Sequence, residues 1–261
     1  MLDDALKILN IIDGNGFQAY IVGGFVRDYL LGRKSSDVDI STNARPDDIK
    51  CMFSFAASNK YGVSVVNYNG NKYEITTFRK DANYVNNRWP SSISFVNTLE
   101  EDAKRRDFTI NCIYMDKDKK LIDPFNGVHD LNNHIVKCVG NPDVKFKEDA
   151  LRILRCIRFA SLLNFKIDSD TVDAIKNNKD LLKNISYDRK KDELNKIFKS
   201  NPKYGIKLIL DLDLEYALDI PNLKNIKDIS SFASIWSFID IGVYSFTKKE
   251  RKMIDNYKKM C

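Results

Sequence analysis

Two carboxylates two residues apart, in Asp37-Val38-Asp39, are the first feature of this chain that could do chemistry. In a strand, side chains at that spacing emerge on one face, so both aspartates would point one way and Val38 the other. Carboxylates held so close repel unless a proton or a cation intervenes. Mg²⁺ meets that need, because it favours a carboxylate or two plus the phosphates of a substrate. The ordinary alternative is a pair of polar residues on a solvated strand edge. Shortly upstream, Gly23-Gly24 lies between an apolar run, Ala19 to Val22, and a helical stretch carrying Arg27. Glycines let a backbone approach closely, a helix start offers N–H groups to phosphate, and Arg27 adds a bidentate cation. The spacing is neither the dinucleotide fingerprint nor a P-loop. It reads as a phosphate cradle close to a metal pair.

Further candidates follow along the chain. Glu74 lies in the strand-like run Tyr73 to Phe78. Beside the aspartate strand it would be a third carboxylate, and otherwise a surface glutamate. In Arg105-Arg106-Asp107-Phe108-Thr109-Ile110-Asn111, Arg106 can reach a triphosphate, while Asp107 and Asn111 can bind ribose hydroxyls. A salt-bridged helix end would use the same residues. From about Glu148, a helix carries Arg152, Arg155 and Arg158 at every third position, on one broad face. Asp149 and Arg152 would be neighbours on that surface, offering acceptors and donors to a base edge. Arg155 and Arg158 need partners such as Glu148, Asp149 or phosphate. An ion-pair ladder is the plain alternative.

The elements that position these residues are legible in outline. Leu6, Leu9 and Ile12 give residues 3–12 a helical stripe, and residues 19–22 then 25–31 read as strand and helix. Residues 63–68 and 71–78 read as strands joined at Asn69-Gly70, a favoured hairpin dipeptide. Ile110, Ile113 and Met115 suggest core packing, and residues 116–119 a charged turn. The character changes near Gly140-Asn141-Pro142; beyond Leu163, residues 171–183, 189–199 and 203–211 also read as helices. The expectation is an α/β domain over 1–139 followed by an all-helical region.

Composition sets the bounds. The chain has 261 residues, 43% hydrophobic and 30% charged, which is globular rather than disordered. Five cysteines without a CxxC pair, and two histidines, point away from a disulfide framework and a histidine-built metal site. No apolar run is long enough for a membrane span, and the acidic start lacks the regions of a signal peptide, so a cytoplasmic protein with no membrane partner is expected. The net charge of +6 is concentrated late, with 16 basic against 11 acidic side chains in residues 182–261, which fits a polyanionic partner.

Taken in order, Gly23-Gly24-Phe25-Val26-Arg27-Asp28, Asp37-Val38-Asp39, Arg105 to Asn111, and Glu148-Asp149-Ala150-Leu151-Arg152 resemble the motifs of class II tRNA nucleotidyltransferases. That family holds the CCA-adding enzymes and bacterial poly(A) polymerases, within the polymerase-β-like superfamily. Asp123-Pro124-Phe125-Asn126-Gly127 resembles the motif between them, and Ser186 to Leu194 the last neck motif. The resemblance implies a nucleotidyltransferase head over 1–139, a base-selecting helical neck over 140–200, and the start of a helical body over 201–261. Family members commonly continue into a tail, which is expected to be absent here, although Ile235, Trp236, Phe238, Ile239, Met253, Ile254 and Tyr257 still suggest body helices.

The resemblance also implies roles. Asp37 and Asp39 would ligate two Mg²⁺ ions with Glu74 in support; Gly23, Gly24 and Arg27 would hold the triphosphate; Asp107, with Arg106, would contact the ribose. Asp149 and Arg152 would pair with cytosine or adenine, so that protein replaces a nucleic-acid template, with Arg155 fixing that pair or the phosphates. Residues 79–95, including Arg88, Trp89 and Pro90, resemble the mobile loop associated with switching from C to A addition. The expected activity is transfer of CMP and AMP from CTP and ATP to the 3′ end of tRNA, by a monomer. A poly(A) polymerase, an A-only or CC-only enzyme, or a catalytically silent RNA-binding relative are the competing readings.

Overall fold

A computed structural model describes residues 1–35, 37–53, 56–85 and 89–260. The chain divides into two compact units, the first holding residues 1–83, 90–133 and 137–140, the second the rest.

In the first unit, α1 (Leu2–Gly14) buries Ala5, Ile8, Leu9 and Ile12 along one face. Each of the three larger side chains contributes about 2 kcal/mol by leaving water. Then come β1 (Ala19–Val22), α2 (Gly24–Leu30), β2 (Asp39–Thr42), α3 (Pro46–Met52), β3 (Ala56–Ser58), β4 (Val63–Tyr68) and β5 (Asn71–Thr77). Asn69 and Gly70 join the last two with φ of 50° and 78°, the left-handed pair that a tight hairpin turn requires. Next are β6 (Arg79–Val85), β7 (Trp89–Phe95), α4 (Leu99–Lys104), β8 (Tyr114–Met115), β9 (Leu121–Ile122) and α5 (Gly127–Asn132). Seven strands form one sheet in the order β3-β4-β5-β2-β1-β8-β9, with β2 antiparallel to β1 and parallel to β5. The strand that begins with Asp39 is therefore central and has a neighbour on each side. Val22, Phe78, Leu99, Ala103, Cys112, Tyr114 and Val139 make one buried cluster in this unit. Of residues 79–95, expected as a mobile loop, the described ones form a two-stranded ribbon of β6 and β7. Arg88 lies outside the described residues.

The second unit is helical apart from one short parallel ladder, β10 (Ile135–Val136) with β11 (Lys166–Ile167), an exception to the all-helical expectation. Its helices are α6 (Pro142–Glu148), α7 (Leu151–Leu163), α8 (Ser169–Asn178), α9 (Tyr187–Ser200), α10 (Pro202–Asp211), α11 (Phe232–Ile239) and α12 (Lys248–Met260). Helix α7 packs against α9, where Leu194, Ile197 and Phe198 are buried. Trp236 is fully buried among Phe198, Phe232, Tyr244 and Phe246 and donates its indole N–H to Asn195 Oδ1 at 2.8 Å. Ile254 of α12 is buried, but Met253 is exposed and so lies off the core face. Among the described residues no helix is long and apolar enough to cross a membrane.

Candidate active site

The acidic face comes first. Strand β2 begins at Asp39, so Asp37 precedes the ladder rather than sitting in it, contrary to the expectation that both lie in one strand. The alternation nevertheless extends back to it: Asp37 and Asp39 are exposed, and Val38 and Ile40 are buried. The parallel register sets Asp39 opposite Glu74 of β5, which is exposed as well. Three carboxylates are thus delivered to one side of two neighbouring strands. Among the described residues none of the three has a hydrogen-bond or ion-pair partner. Asp39 is reachable by solvent yet crowded by protein, and this loss of hydration pushes its carboxyl above the ordinary range. Glu74 and Asp37 push the same way, and Arg106 opposes them.

No group of three or more His, Cys, Asp or Glu among the described residues is gathered tightly enough to enclose a metal ion. Mg²⁺ does not need such a cage, since it takes a carboxylate or two and completes its shell with water and substrate phosphate. An all-oxygen donor set with unrelieved negative charge fits that ion.

Around this face lie the residues expected to hold the nucleotide. Gly23 has φ of 84°, and a Cβ there would come within 3.3 Å of Asp39 Oδ2, so the backbone at the start of α2 runs against the carboxylate. Arg27 is only 4% exposed. Its Nε and Nη2 lie on the two oxygens of Asp28, at 3.0 and 2.8 Å, and its Nη1 donates to Asn111 Oδ1 at 2.7 Å. Arg27 and Asn111, expected as separate contacts to phosphate and ribose, are therefore joined to each other. Arg106 donates from Nε to the Tyr114 hydroxyl at 2.8 Å and from Nη2 to Asp102 Oδ2 at 3.1 Å. Burial works against its charge, but Tyr114 and Asp102 outweigh that and hold its pKa above the usual arginine range. Asp107 Oδ1 accepts the Phe108 N–H at 2.8 Å.

The stretch 105–111 is braced from beneath by the motif at 123–127. Asp123 accepts the N–H groups of Gly127 and Val128 at 2.7 and 2.8 Å, holding the start of α5. A Cβ on Gly127 would fall 2.2 Å from the Thr109 carbonyl oxygen, so only glycine lets the two segments meet. Thr109 Oγ1 donates to buried Asp130 at 2.7 Å.

In the second unit the expected helix from Glu148 is broken. Helix α6 ends at Glu148, Asp149 is extended (φ −142°, ψ 104°), and α7 starts at Leu151. Asp149 Oδ1 accepts the Leu151 N–H at 3.1 Å, the local bond with which aspartate competes against helix. Asp149 and Arg152 are therefore not two positions of one helix surface. Asp149 faces Arg189 of α9, with Nη2 3.3 Å from Oδ2, whereas Arg152 bonds Glu148 Oε2 at 2.5 Å and the Lys145 carbonyl at 3.0 Å. Arg158 pairs with buried Glu193 at 3.1 Å and lies over the Phe159 ring; Arg155 stands near the same ring. Residues outside the expected set thus hold members of it: Asp28 holds Arg27, Asp102 and Tyr114 hold Arg106, Arg189 holds Asp149 and Glu193 holds Arg158. Asp102 could be read from its place three and four residues before Arg105 and Arg106; Arg189 lies in the 186–194 motif, but nothing local signals its pairing with Asp149, 40 residues away.

The family model described as poly A polymerase head domain matches residues 19–137, and the one described as probable RNA and SrmB-binding site of polymerase A matches 164–226. The chain is 41% identical over 251 residues to a CCA-adding enzyme of Lactobacillus helveticus, covering 91% of this chain and 62% of that protein. A CCA-adding enzyme of Ligilactobacillus salivarius is 45% identical over 236 residues, covering 87% and 58%. The crystal structure of the Bacillus stearothermophilus CCA-adding enzyme in complex with CTP superposes with a TM-score of 0.80 at 38% identity, over 90% of this chain and 58% of that one. The Thermotoga maritima CCA-adding enzyme complexed with tRNA shares the fold, with a TM-score of 0.76 at 23% identity over 98% and 69%. The chain spans roughly three-fifths of the length of the two lactobacillar relatives. With a seven-stranded head that sets Asp39 beside Glu74 on two neighbouring strands, and a helical part that follows, the chain belongs to the class II tRNA nucleotidyltransferase and poly(A) polymerase family, with a polymerase-β-like nucleotidyltransferase head.

Proposed function

We propose that this chain carries the catalytic and base-selecting parts of a CCA-adding enzyme, which transfers CMP and AMP from CTP and ATP to the 3′ end of tRNA without a nucleic-acid template. The observation that carries this reading is the β2–β5 register, which places Asp39 against Glu74, with Asp37 on the same exposed side and no partner for any of the three among the described residues. The Thermotoga maritima CCA-adding enzyme, which shares the fold, is complexed with tRNA, and this supports tRNA as the acceptor.

Asp37 and Asp39 would hold Mg²⁺, with Glu74 in support. When bound there, Mg²⁺ lowers the pKa of an RNA 3′-hydroxyl and neutralises charge on the triphosphate and the departing pyrophosphate. Gly23 keeps the backbone beside Asp39 free of a side chain, so that a phosphate can lie against it. Arg106, fixed by Tyr114 and Asp102, offers the triphosphate a cation that need not be ordered on binding. Arg27 takes up the amide oxygen of Asn111 and leaves its nitrogen to donate to a ribose hydroxyl, while Asp107 accepts from another. Asp149 and Arg152 would read the base. Arg189 and Glu148 restrict where those two side chains can point, and a wrong base would leave buried polar groups unpaired, the costly outcome.

The test supplies purified protein with Mg²⁺ and tRNA ending at its discriminator base, gives CTP alone, ATP alone and both, and sequences the 3′ ends. The expected product is CCA followed by a stop. Long A tails would replace this reading with poly(A) synthesis, and CC only, or A only on pre-extended tRNA, with a partial enzyme. No transfer at any nucleotide or metal concentration would leave a silent RNA-binding relative.

A further inference from the structure

Asp102 has no exposed surface and collects more donors than charge balance alone requires. Its Oδ1 accepts from Arg105 Nε at 2.8 Å and from the backbone N–H of Arg79 at 3.3 Å. Its Oδ2 accepts from Arg106 Nη2 at 3.1 Å, the Tyr114 hydroxyl at 3.1 Å and the Ser41 hydroxyl at 3.2 Å. A buried carboxylate must be paired, and Arg105, whose Nη2 also stands 2.8 Å from Oδ1, is enough for that. The second arginine is a surplus cation. Its Nε and Nη2 are both committed, to Tyr114 and to Asp102, and its guanidinium lies over the Tyr114 ring at 5.1 Å. Nη1 takes no part in those bonds.

Ser41 is two residues beyond Asp39 on β2, so its side chain leaves the strand on the same side as the Asp39 carboxylate. One buried oxygen thus ties the strand that bears Asp39 to the arginine beside it. A free arginine side chain has rotamer entropy to lose, which a binding site that orders it only on contact must give up from its affinity.

We propose that Asp102 is a positioning residue for nucleotide binding: together with the Tyr114 hydroxyl it locks Arg106 beside Asp39, so that the guanidinium meets the nucleoside triphosphate already ordered. This rests on the reading of the acidic face as a nucleotidyl-transfer site. The consequence is an effect on KM for the nucleotide that exists only while Arg106 is present.

The experiment is a double-mutant cycle on nucleotide addition to tRNA, with Asp102→Asn, Arg106→Ala and the pair. Asp102→Asn should raise KM for CTP about tenfold and change kcat less than about threefold, the pattern of lost uniform binding. The double variant should show the KM of Arg106→Ala alone, because without the guanidinium there is nothing left to position. KM effects that simply multiply in the double variant would overturn the proposal, since a purely structural carboxylate gives independent losses. Tyr114→Phe keeps the ring and removes only the hydroxyl. It should raise KM by a smaller factor with the same non-additivity, and it decides the matter if Asp102→Asn does not fold. Multiplying effects in an active enzyme defeat only the positioning role; a wild-type protein that neither binds CTP nor transfers it defeats the site itself.

Discussion

The acidic strand face of the first unit and the arginine helix of the second hold their charges in opposite ways. Just before β2, on β2 and on β5, Asp37, Asp39 and Glu74 share one exposed side with no protein partner among the described residues. On and before α7, the charged side chains are matched: Arg152 with Glu148, Asp149 with Arg189, Arg158 with Glu193. Uncompensated like charge costs folding energy and persists where something outside the chain completes it. Matched, half-buried pairs fix side-chain direction instead, which suits discrimination between bases. The first arrangement suits chemistry on a cation-bound phosphate, the second a rigid set of donors and acceptors.

The sharpest way to break this contrast is to remove one charge from each region. Asp39→Asn should lower nucleotidyl transfer roughly a thousandfold or more, the scale seen when a central electrostatic group is lost. It should leave the melting temperature unchanged or higher, because the carboxyl held above its usual range by burial and by Glu74 is no longer there to repel. A fall in melting temperature would show that the acidic face is structural. Arg158→Met should do the reverse. Glu193, 4% exposed, would keep only Lys196 among the described residues, at 3.0 Å, and the loss should be about 2 kcal/mol of stability in urea titration. Transfer should fall far less than in Asp39→Asn, and a comparable fall would place Arg158 on the substrate.

Which parts of this were legible depends on how local their causes are. The Asn69-Gly70 turn and the α1 stripe were readable because a dipeptide and a spacing determine them. The aspartate alternation was readable too, although the ladder starts only at Asp39. The pairing of Asp39 with Glu74 stood only as a condition, because the parallel register of β2 and β5 depends on everything folded between them. The break at Asp149 was not visible. Apolar and basic periodicity runs on through Glu148 to Leu163, and the extended residue is secured by its own bond to Leu151 and by Arg189, 40 residues away. Asp102 sits at ion-pair spacing from both arginines. Its complete burial, and the hydroxyls of Ser41 and Tyr114, come from the tertiary fold.

Within the matched region, the comparison is sharpened by asking which pair governs base choice. Asp149→Ala should reduce the preference for CTP over UTP by about 30-fold, because a site built to hydrogen-bond one base edge loses an acceptor. Arg189→Ala leaves Asp149 in place but loosens it, and a loss of about fivefold is expected on the same logic. Competition assays with both nucleotides read the two ratios directly. Equal preference in wild type and Asp149→Ala would remove Asp149 from the base edge, and a larger effect from Arg189→Ala would make the arginine itself the reader.

The smallest effect is on thiol access, and it measures how tightly each region is held. Cys51 is exposed, while Cys112 and Cys156 are buried, the former within the first unit's cluster beside Ala103, the latter in α7. Burial pushes the Cys112 thiol up to about 12, so at pH 8 it has almost no thiolate even when reached. Native alkylation followed by peptide mass spectrometry should label Cys51 first, with Cys112 and Cys156 following only through opening of the structure. Asp39→Asn relieves repulsion without touching the cluster, so it should leave the Cys112 rate unchanged. Arg158→Met removes a clasp two residues along the same helix and should speed Cys156 by about the factor of its stability loss, some 30-fold, where opening precedes labelling. Acceleration of Cys112 by Asp39→Asn, with Cys156 unmoved by Arg158→Met, would reverse the assignment of which charges hold the fold and which are held by it.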